Sequence, residues 1–442
     1  MRDRSPKNSL FKGIVLLCLL VTSTTKATTY YSRANTNWTV ASTWSTVSCG
    51  GTAAVSAPTA SDDVIICAGY TVNINAAGTC KSLTIQGTAN WTSTATLAVG
   101  TGGLDIQSGG DITGTTNGTV STTGGFTINA TLTSANVTIR TATTAGQTIS
   151  GTGSLAKLDI SAATTNNATL TVRTSIASTV ASTLTQGSTA SLTYAGTTIT
   201  PTLDASASGN TVTYSGTTQT VKLSTYHHLI ISGSGAKTLG GAITVNGDFS
   251  INAGTLATNI YQITGNTTGT FSMAASTGLY VGLNSSSTNV LFPTNFTTAH
   301  TSLSSTSTVY YYGNSSQTIS SVPTYGNLNV VIFSGAKTAD GNLTVMGNLT
   351  TTTSTLTMTT YDLNLTGNYV GAGALSFTTG TFNIGGSFTN TGTFTKGTGS
   401  VNYNGSSAQT VRGVNYNNLT FSGTGDKLLQ ASATVGIGGT FT

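Results

Sequence analysis

The chain has 442 residues, and only 6% of them are charged: 16 Lys and Arg against 11 acids, every acid an Asp, for a formal net charge of +5. Five of the basic residues, Arg2, Arg4, Lys7, Lys12 and Lys26, crowd the first 27 positions, so the remainder is close to neutral. That excludes the clustered basic face of a nucleic-acid binder and a polybasic membrane patch, while a hydrophobic share of 37% is enough to build a core.

Residues 1–27 read as an export signal. Basic residues precede the apolar run "GIVLLCLLV" at 13–21, and Thr25-Lys26-Ala27 offers a small-residue cleavage site. The run is too short to span a bilayer, and no later segment is apolar enough to do so. Cys18 lies inside the run behind Leu17, where a lipoprotein signal would carry a small residue; a cleaved signal is therefore expected, not a lipid anchor.

Residues 28–100 form a distinct N-terminal segment. They hold "NWTVASTWS" (37–45), Asp62-Asp63, "VIICAGYTVNI" (64–74) and "CKSLTIQGT" (80–88), with Cys49, Cys67 and Cys80. A stack of repeats exposes an apolar end unless something covers it, so this segment is expected to be a cap with the first coils, Trp38 and Trp44 acting as its lid. After export one disulfide is permitted and one thiol is left over. The expected pair is Cys67–Cys80; three unpaired buried cysteines are the alternative.

From residue 101 to 442 the chain repeats itself. The phrase apolar-x-Gly begins at Val345, Leu365, Ile384, Tyr403, Phe421 and Ile437, at intervals of 20, 19, 19, 18 and 16. Upstream it begins at Tyr214, Ile231, Val245 and Ile263. A longer repeat lies on top: "TVTYSGTTQTV" (211–221), "STVYYYGNSSQTI" (307–319) and "GSVNYNGSSAQTV" (399–411), each followed by a phrase containing Ala-Lys or Asp-Lys. Gln219, Gln317 and Gln409 mark the copies.

Within a unit apolar residues alternate: Ile243, Val245, Phe249 and Ile251 share one parity, Thr244, Asn246, Asp248 and Ser250 the other. Period two means half-buried strands, and the Gly, Asn and Ser between them suit tight turns. The predicted fold is all-β: a parallel β-helix with rungs of roughly 16–20 residues and an N-terminal cap, some 18 rungs beyond position 100 at about 4.8 Å each. Inward Asn is expected to form ladders along the stack. Tandem β-sandwich repeats are the alternative; they account for the long repeat but not the short one.

The opening Trp-Thr-Val…Thr-Trp-Ser, the Asp62-Asp63-Val64-Ile65-Ile66 stretch with Gly69 and Val72, and the phrases "SGSGAKTL" and "NGSSAQTV" together resemble secreted β-helical surface proteins of Bacteroidetes-type bacteria. The resemblance covers nearly the whole chain after the export signal. It implies a large adhesin-like exported protein with a C-terminal sorting domain. This chain stops mid-phrase at "VGIGGTFT", which on that resemblance suggests truncation at the C-terminus.

Little of the chain reads as chemistry. Glycoside hydrolysis needs paired carboxylates, and only Asp62-Asp63 are adjacent, on a strand where they would point apart. Asp105 with Asp111, and Asp340 with Asp362, are about a rung apart. His227-His228 is the single His pair and is expected to face two ways. No catalytic residue, metal site or cofactor is assigned. Lys237, Lys337 and Lys427 recur at one place in the repeat and, with one ring of Tyr310-Tyr311-Tyr312 (Tyr311), are the candidate ligand-facing residues, beside the plainer reading of solvated turn lysines and packed tyrosines. The expected role is that of an exported, non-enzymatic cell-surface or matrix repeat protein, adhering to extracellular glycans or other surface proteins. A carbohydrate-active β-helix enzyme is the alternative.

Overall fold

Alternating small polar and branched apolar residues make each short segment a two-sided strand, and the turn residues between segments redirect the chain. In the computed structural model, which describes Met1 and residues 27–142, 144–331 and 335–442, these strands wind into a parallel β-solenoid of about 20 turns. The expected parallel β-helix is the observed fold, in place of separate sandwiches. The export segment lies outside the described residues apart from Met1 and Ala27.

Each turn visits three faces in a constant order. Asp63–Ile66 lies on the first face and Thr71–Ile74 on the second; the start of Gly78–Ile85 lies on the third and its end returns to the first. Apolar residues stack inside in register. On the first face the column runs Val64, Leu83, Leu104, Phe126, Ile149. On the second it includes Leu170, Leu192, Val212, Leu229, Phe249, Phe271. On the third it includes Leu256, Leu279, Val309, Leu328, Leu349, Tyr369. Every member of these columns is at most 3% exposed, so the core is one continuous apolar axis. Stability in such a stack is a sum of neighbour interfaces, so damage stays local.

The short refrain finds its reason on the second face. Tyr325, Val345, Leu365, Ile384, Tyr403 and Phe421 pair in sequence, one per turn, at near-equal spacing. Ile437, by contrast, pairs with Tyr416 on the first face, and Val245 with Tyr226. The phrase therefore marks a kind of corner and not one fixed column. Upstream the turns vary more than expected: on the first face Phe126 stacks on Ile149, whereas the next turn brings Ile149 onto Asn166. Extra Gly, Thr and Asn at the corners lengthen a turn without disturbing its strands. The turn from Leu279 to Val309 carries a particularly long insertion of this kind.

The refrain's Gly and Asn build the corner itself. Gly347 N–H donates to Gly326 O at 2.6 Å, Gly367 N–H to Gly347 O at 3.0 Å and Gly386 N–H to Gly367 O at 3.1 Å. A Cβ on Gly367 would sit 2.2 Å from the Gly347 carbonyl oxygen, so no other residue fits. Beside them, Asn327, Asn348 and Asn368 each accept with Oδ1 a backbone N–H of the next turn, at 2.9, 2.9 and 2.8 Å.

The N-terminal segment packs onto the first turn. Thr29–Ser32 pairs in parallel with Asp63–Ile66 and antiparallel with Trp44–Ser45. Trp38 and Trp44 pack edge to face at 5.0 Å, both buried, and Trp44 Nε1–H donates to Trp38 O at 2.8 Å. At the other end Leu429, Ile437 and Phe441 are exposed.

Candidate functional site

The long repeat turns out to be a corner staple. In its first copy Tyr214 Oη and Tyr226 Oη are 3.0 Å apart inside the coil; the second pairs Tyr311 with Tyr325 and the third Tyr403 with Tyr416, both at 2.9 Å. The first ring of each pair accepts a backbone N–H, from Lys222, Ser320 or Arg412. The second donates to the carbonyl of that same residue. Gln219, Gln317 and Gln409 are buried, each accepting one glycine N–H and donating to two carbonyls of the preceding turn. These side chains supply the partners that corner backbone groups would otherwise lack.

This corrects the ligand-facing assignments. Lys237 stacks in register on Gln219, Lys337 on Gln317 and Lys427 on Gln409. Lys237 and Lys337 are 0% exposed. Lys337 Nζ donates to Gly313 O and Ser315 O at 2.9 and 2.5 Å, and Lys237 Nζ to Gly233 O at 2.9 Å. Lys427, half-buried, donates to Gly425 O and Gly405 O. Burial lowers the pKa of Lys237 and brings that of Lys337 down to about 8. Tyr311 is likewise 0% exposed, and it is Tyr310 and Tyr312 that lie on the outside. The strand parity was legible; which parity faced inward was not.

The disulfide is also corrected. Cys49 pairs with Cys67, and Cys80 is free and buried, its thiol pushed up to about 12 by desolvation and by Asp63. Ser32 brings the bonded pair together: its Oγ accepts the Cys67 N–H, and its carbonyl accepts the N–H of Gly50, next to Cys49. Cys80 instead stacks in register on Val99 within the core.

His227 and His228 do not face opposite ways. The chain bends at His227, just before the strand His228–Ile231, and the two rings meet edge to face at 4.2 Å. His228 Nδ1 lies 3.3 Å from Asp248 and His227 Nε2 lies 3.2 Å from Ser208 Oγ. Among the described residues no three His, Cys or Asp side chains are grouped to hold a metal ion. The candidate carboxylates are taken up within the coil: Asp62 by Thr59 and Thr28, Asp63 by Ser82 and Lys81, Asp111 by Thr133, Asp340 by the N–H of Ser321 and Asp362 by that of Thr381. Asp105 takes the Gln107 amide.

What the outer surface does offer is amides in register. On the second face Asn383 Nδ2 donates to Asn364 Oδ1 at 2.9 Å, Asn402 Nδ2 to Asn383 Oδ1 at 3.1 Å, and Ser422 Oγ to Asn402 Oδ1 at 2.8 Å. Inward amides were expected to form such ladders; the buried instance is the pair Asn166 to Gln186 at 2.8 Å, and the longer ladder faces out. Its Asn364 and Asn383 line a groove of about 490 Å³ together with Thr344, Thr366, Asn404 and Ser406. The Asn residues were visible in the phrases "LNLTG", "FNIGG" and "VNYNG", one per turn, once the register is known.

Among the described residues no helix is long and apolar enough to cross a membrane. Neither a family model, a curated protein nor a solved structure matches this chain.

Proposed function

We propose that this chain is an exported repeat protein of the cell surface or extracellular matrix, which adheres to glycans along its sides without turning them over. The observation that carries this reading is the Asn364–Asn383–Asn402 ladder beside its open groove. Each amide of the ladder spends part of its hydrogen-bonding capacity on its neighbours, Asn402 also on Ser422, and keeps further lone pairs and N–H groups for sugar hydroxyls, repeated at the rung spacing of about 4.8 Å. Sites repeated along a rod bind weakly one by one and strongly together. The Cys49–Cys67 disulfide supports export, because such bonds persist in oxidising compartments.

The test pairs retention with turnover. The protein beginning at Thr28 is passed over immobilised neutral polysaccharides, and the same polysaccharides are assayed for released reducing ends. Retention that weakens in the Asn364→Ala, Asn383→Ala, Asn402→Ala triple variant is expected. Release of reducing ends without retention would overturn the reading in favour of a carbohydrate-active enzyme.

A further inference from the structure

Outside the groove, one place on the third face breaks the run of small side chains. The outward row reads Thr238, Ala257, Tyr280, Tyr310, Asn329, one residue per turn in register. Tyr280 and Tyr310 are stacked flat, with ring centroids 4.2 Å apart and planes 3° from parallel. Tyr312 stands perpendicular to Tyr280 with ring centroids 5.5 Å apart, and Asn284 Nδ2 donates to the Tyr312 hydroxyl at 3.0 Å. The two stacked rings make a slab whose orientation is held from the side.

The slab has a bare flank. Gly278 and Gly282 stand on either side of Tyr280 along its own stretch of chain and carry no side chain; both are buried, Gly282 against Gly313 and Gln317. One flat of Tyr280 is covered by Tyr310; the other looks along the axis over Ala257, whose side chain is a single methyl. The gap above Ala257 is one rung deep, about 4.8 Å. That is close to the 4.2 Å that separates the stacked rings of Tyr280 and Tyr310, so one further ring fits.

We propose that the free flat of Tyr280 above Ala257 is a stacking seat for one pyranose ring of a neutral polysaccharide. An aromatic face is electron-rich, and the C–H face of a pyranose is apolar with weakly positive hydrogens, so the two pack face to face. The row carries no charged side chain from Thr238 to Asn329, which fits a neutral sugar and not a uronic acid. The Thr238 hydroxyl lies one rung beyond, within reach of the ring's substituents. This seat deepens the glycan-binding reading and rests on it.

The alternative is that the stacked rings only brace the coil, and two variants separate the cases. Tyr280→Ala removes the seat. Ala257→Leu fills it and leaves both rings in place. Cellohexaose, mannohexaose and xylohexaose are titrated into each protein, following tyrosine fluorescence and heat, with thermal melting as the control for folding. The expected result is that at least one oligosaccharide binds the parent, and that both variants lose at least tenfold in affinity while Ala257→Leu melts as the parent does. An oligosaccharide that binds the parent and Ala257→Leu equally overturns the seat while leaving glycan binding standing. Retention on the immobilised polysaccharides with no oligosaccharide bound does the same. If the parent neither binds an oligosaccharide nor is retained by any polysaccharide, both fall.

Discussion

Lys337 lies one turn above Gln317, in register with it, and the two side chains converge on Gly313. The Gln317 Oε1 accepts the glycine N–H at 3.0 Å and the Lys337 Nζ donates to its carbonyl at 2.9 Å. A polar pair thus closes a corner that backbone hydrogen bonding alone leaves open. The same register joins Gln219 to Lys237 and Gln409 to Lys427.

A buried ammonium makes stability depend on pH. Desolvation brings Lys337 down to about 8, from the 10.5 of an exposed lysine. Between those values the unfolded chain holds a proton that the folded chain has lost, so stability rises with pH across that window and is lower, and flat in this respect, below 8. The full effect is at most about 3 kcal/mol. Lys337→Met removes this share of the dependence and leaves that of Lys237, whose pKa burial also lowers. Urea melts of both proteins from pH 7 to 10 check this: parallel curves across the window would mean that Lys337 stays charged throughout.

The tyrosine pairs act in the opposite direction at higher pH. Burial pushes Tyr214 and Tyr403 up to about 12, and Tyr226 well above 10. The unfolded chain ionises near 10 while these rings in the folded chain do not, so stability is complete below pH 10 and falls as pH rises toward 12. Tyrosinate absorbance should show a first, gradual rise from exposed rings and a later cooperative step that coincides with loss of the strand circular dichroism signal. Smooth ionisation of all 16 tyrosines near pH 10 with the fold intact would contradict the buried pairs.

Gly367→Ala tests the corner. Its new Cβ would lie 2.2 Å from a backbone oxygen that cannot move aside. The expected cost is more than about 2 kcal/mol, against less than about 0.5 kcal/mol for Met346→Ala, which lies exposed at the preceding corner. Because rungs interact only with neighbours, hydrogen exchange should quicken around Leu343–Val345 and Leu363–Leu365 and remain unchanged near the cap.

Reduction tests the cap. The Cys49–Cys67 bond closes a loop of 18 residues, worth roughly 3 kcal/mol. The Cys49→Ser, Cys67→Ser double variant should lose protection from protease in residues 28–62 while the coil beyond remains resistant. In the parent, Cys80 should resist a thiol reagent at pH 8 until denaturant is added. Fast labelling of the native parent would place a thiol outside the core.

Much of this architecture could be read from the chain. Period-two alternation and the near-equal intervals from Val345 to Phe421 specify strands that stack turn upon turn, because backbone pairing at a constant spacing favours a constant number of residues per turn. Trp38 and Trp44, read as a lid, are buried against each other. Alternation, however, assigns residues to two sides without naming the inner one when both sides are short and uncharged. Tyr310-Tyr311-Tyr312 obeyed its parity, yet the buried ring is the one expected to meet a ligand.

Composition and local pattern thus determined a parallel coil, because that depends on the backbone and on nearest neighbours in sequence. Tertiary structure alone decided what the recurrent Lys, Gln, Cys and Asn side chains do, because each finds its partner about a turn away along the chain: Cys67 from Cys49, Lys337 from Gln317, Gln409 from Ile384, Asn383 from Asn364. The distance of a corner from its neighbour in space is one rung, whereas the distance in sequence varies with every inserted Gly or Thr, and only the folded coil sets which pairs meet.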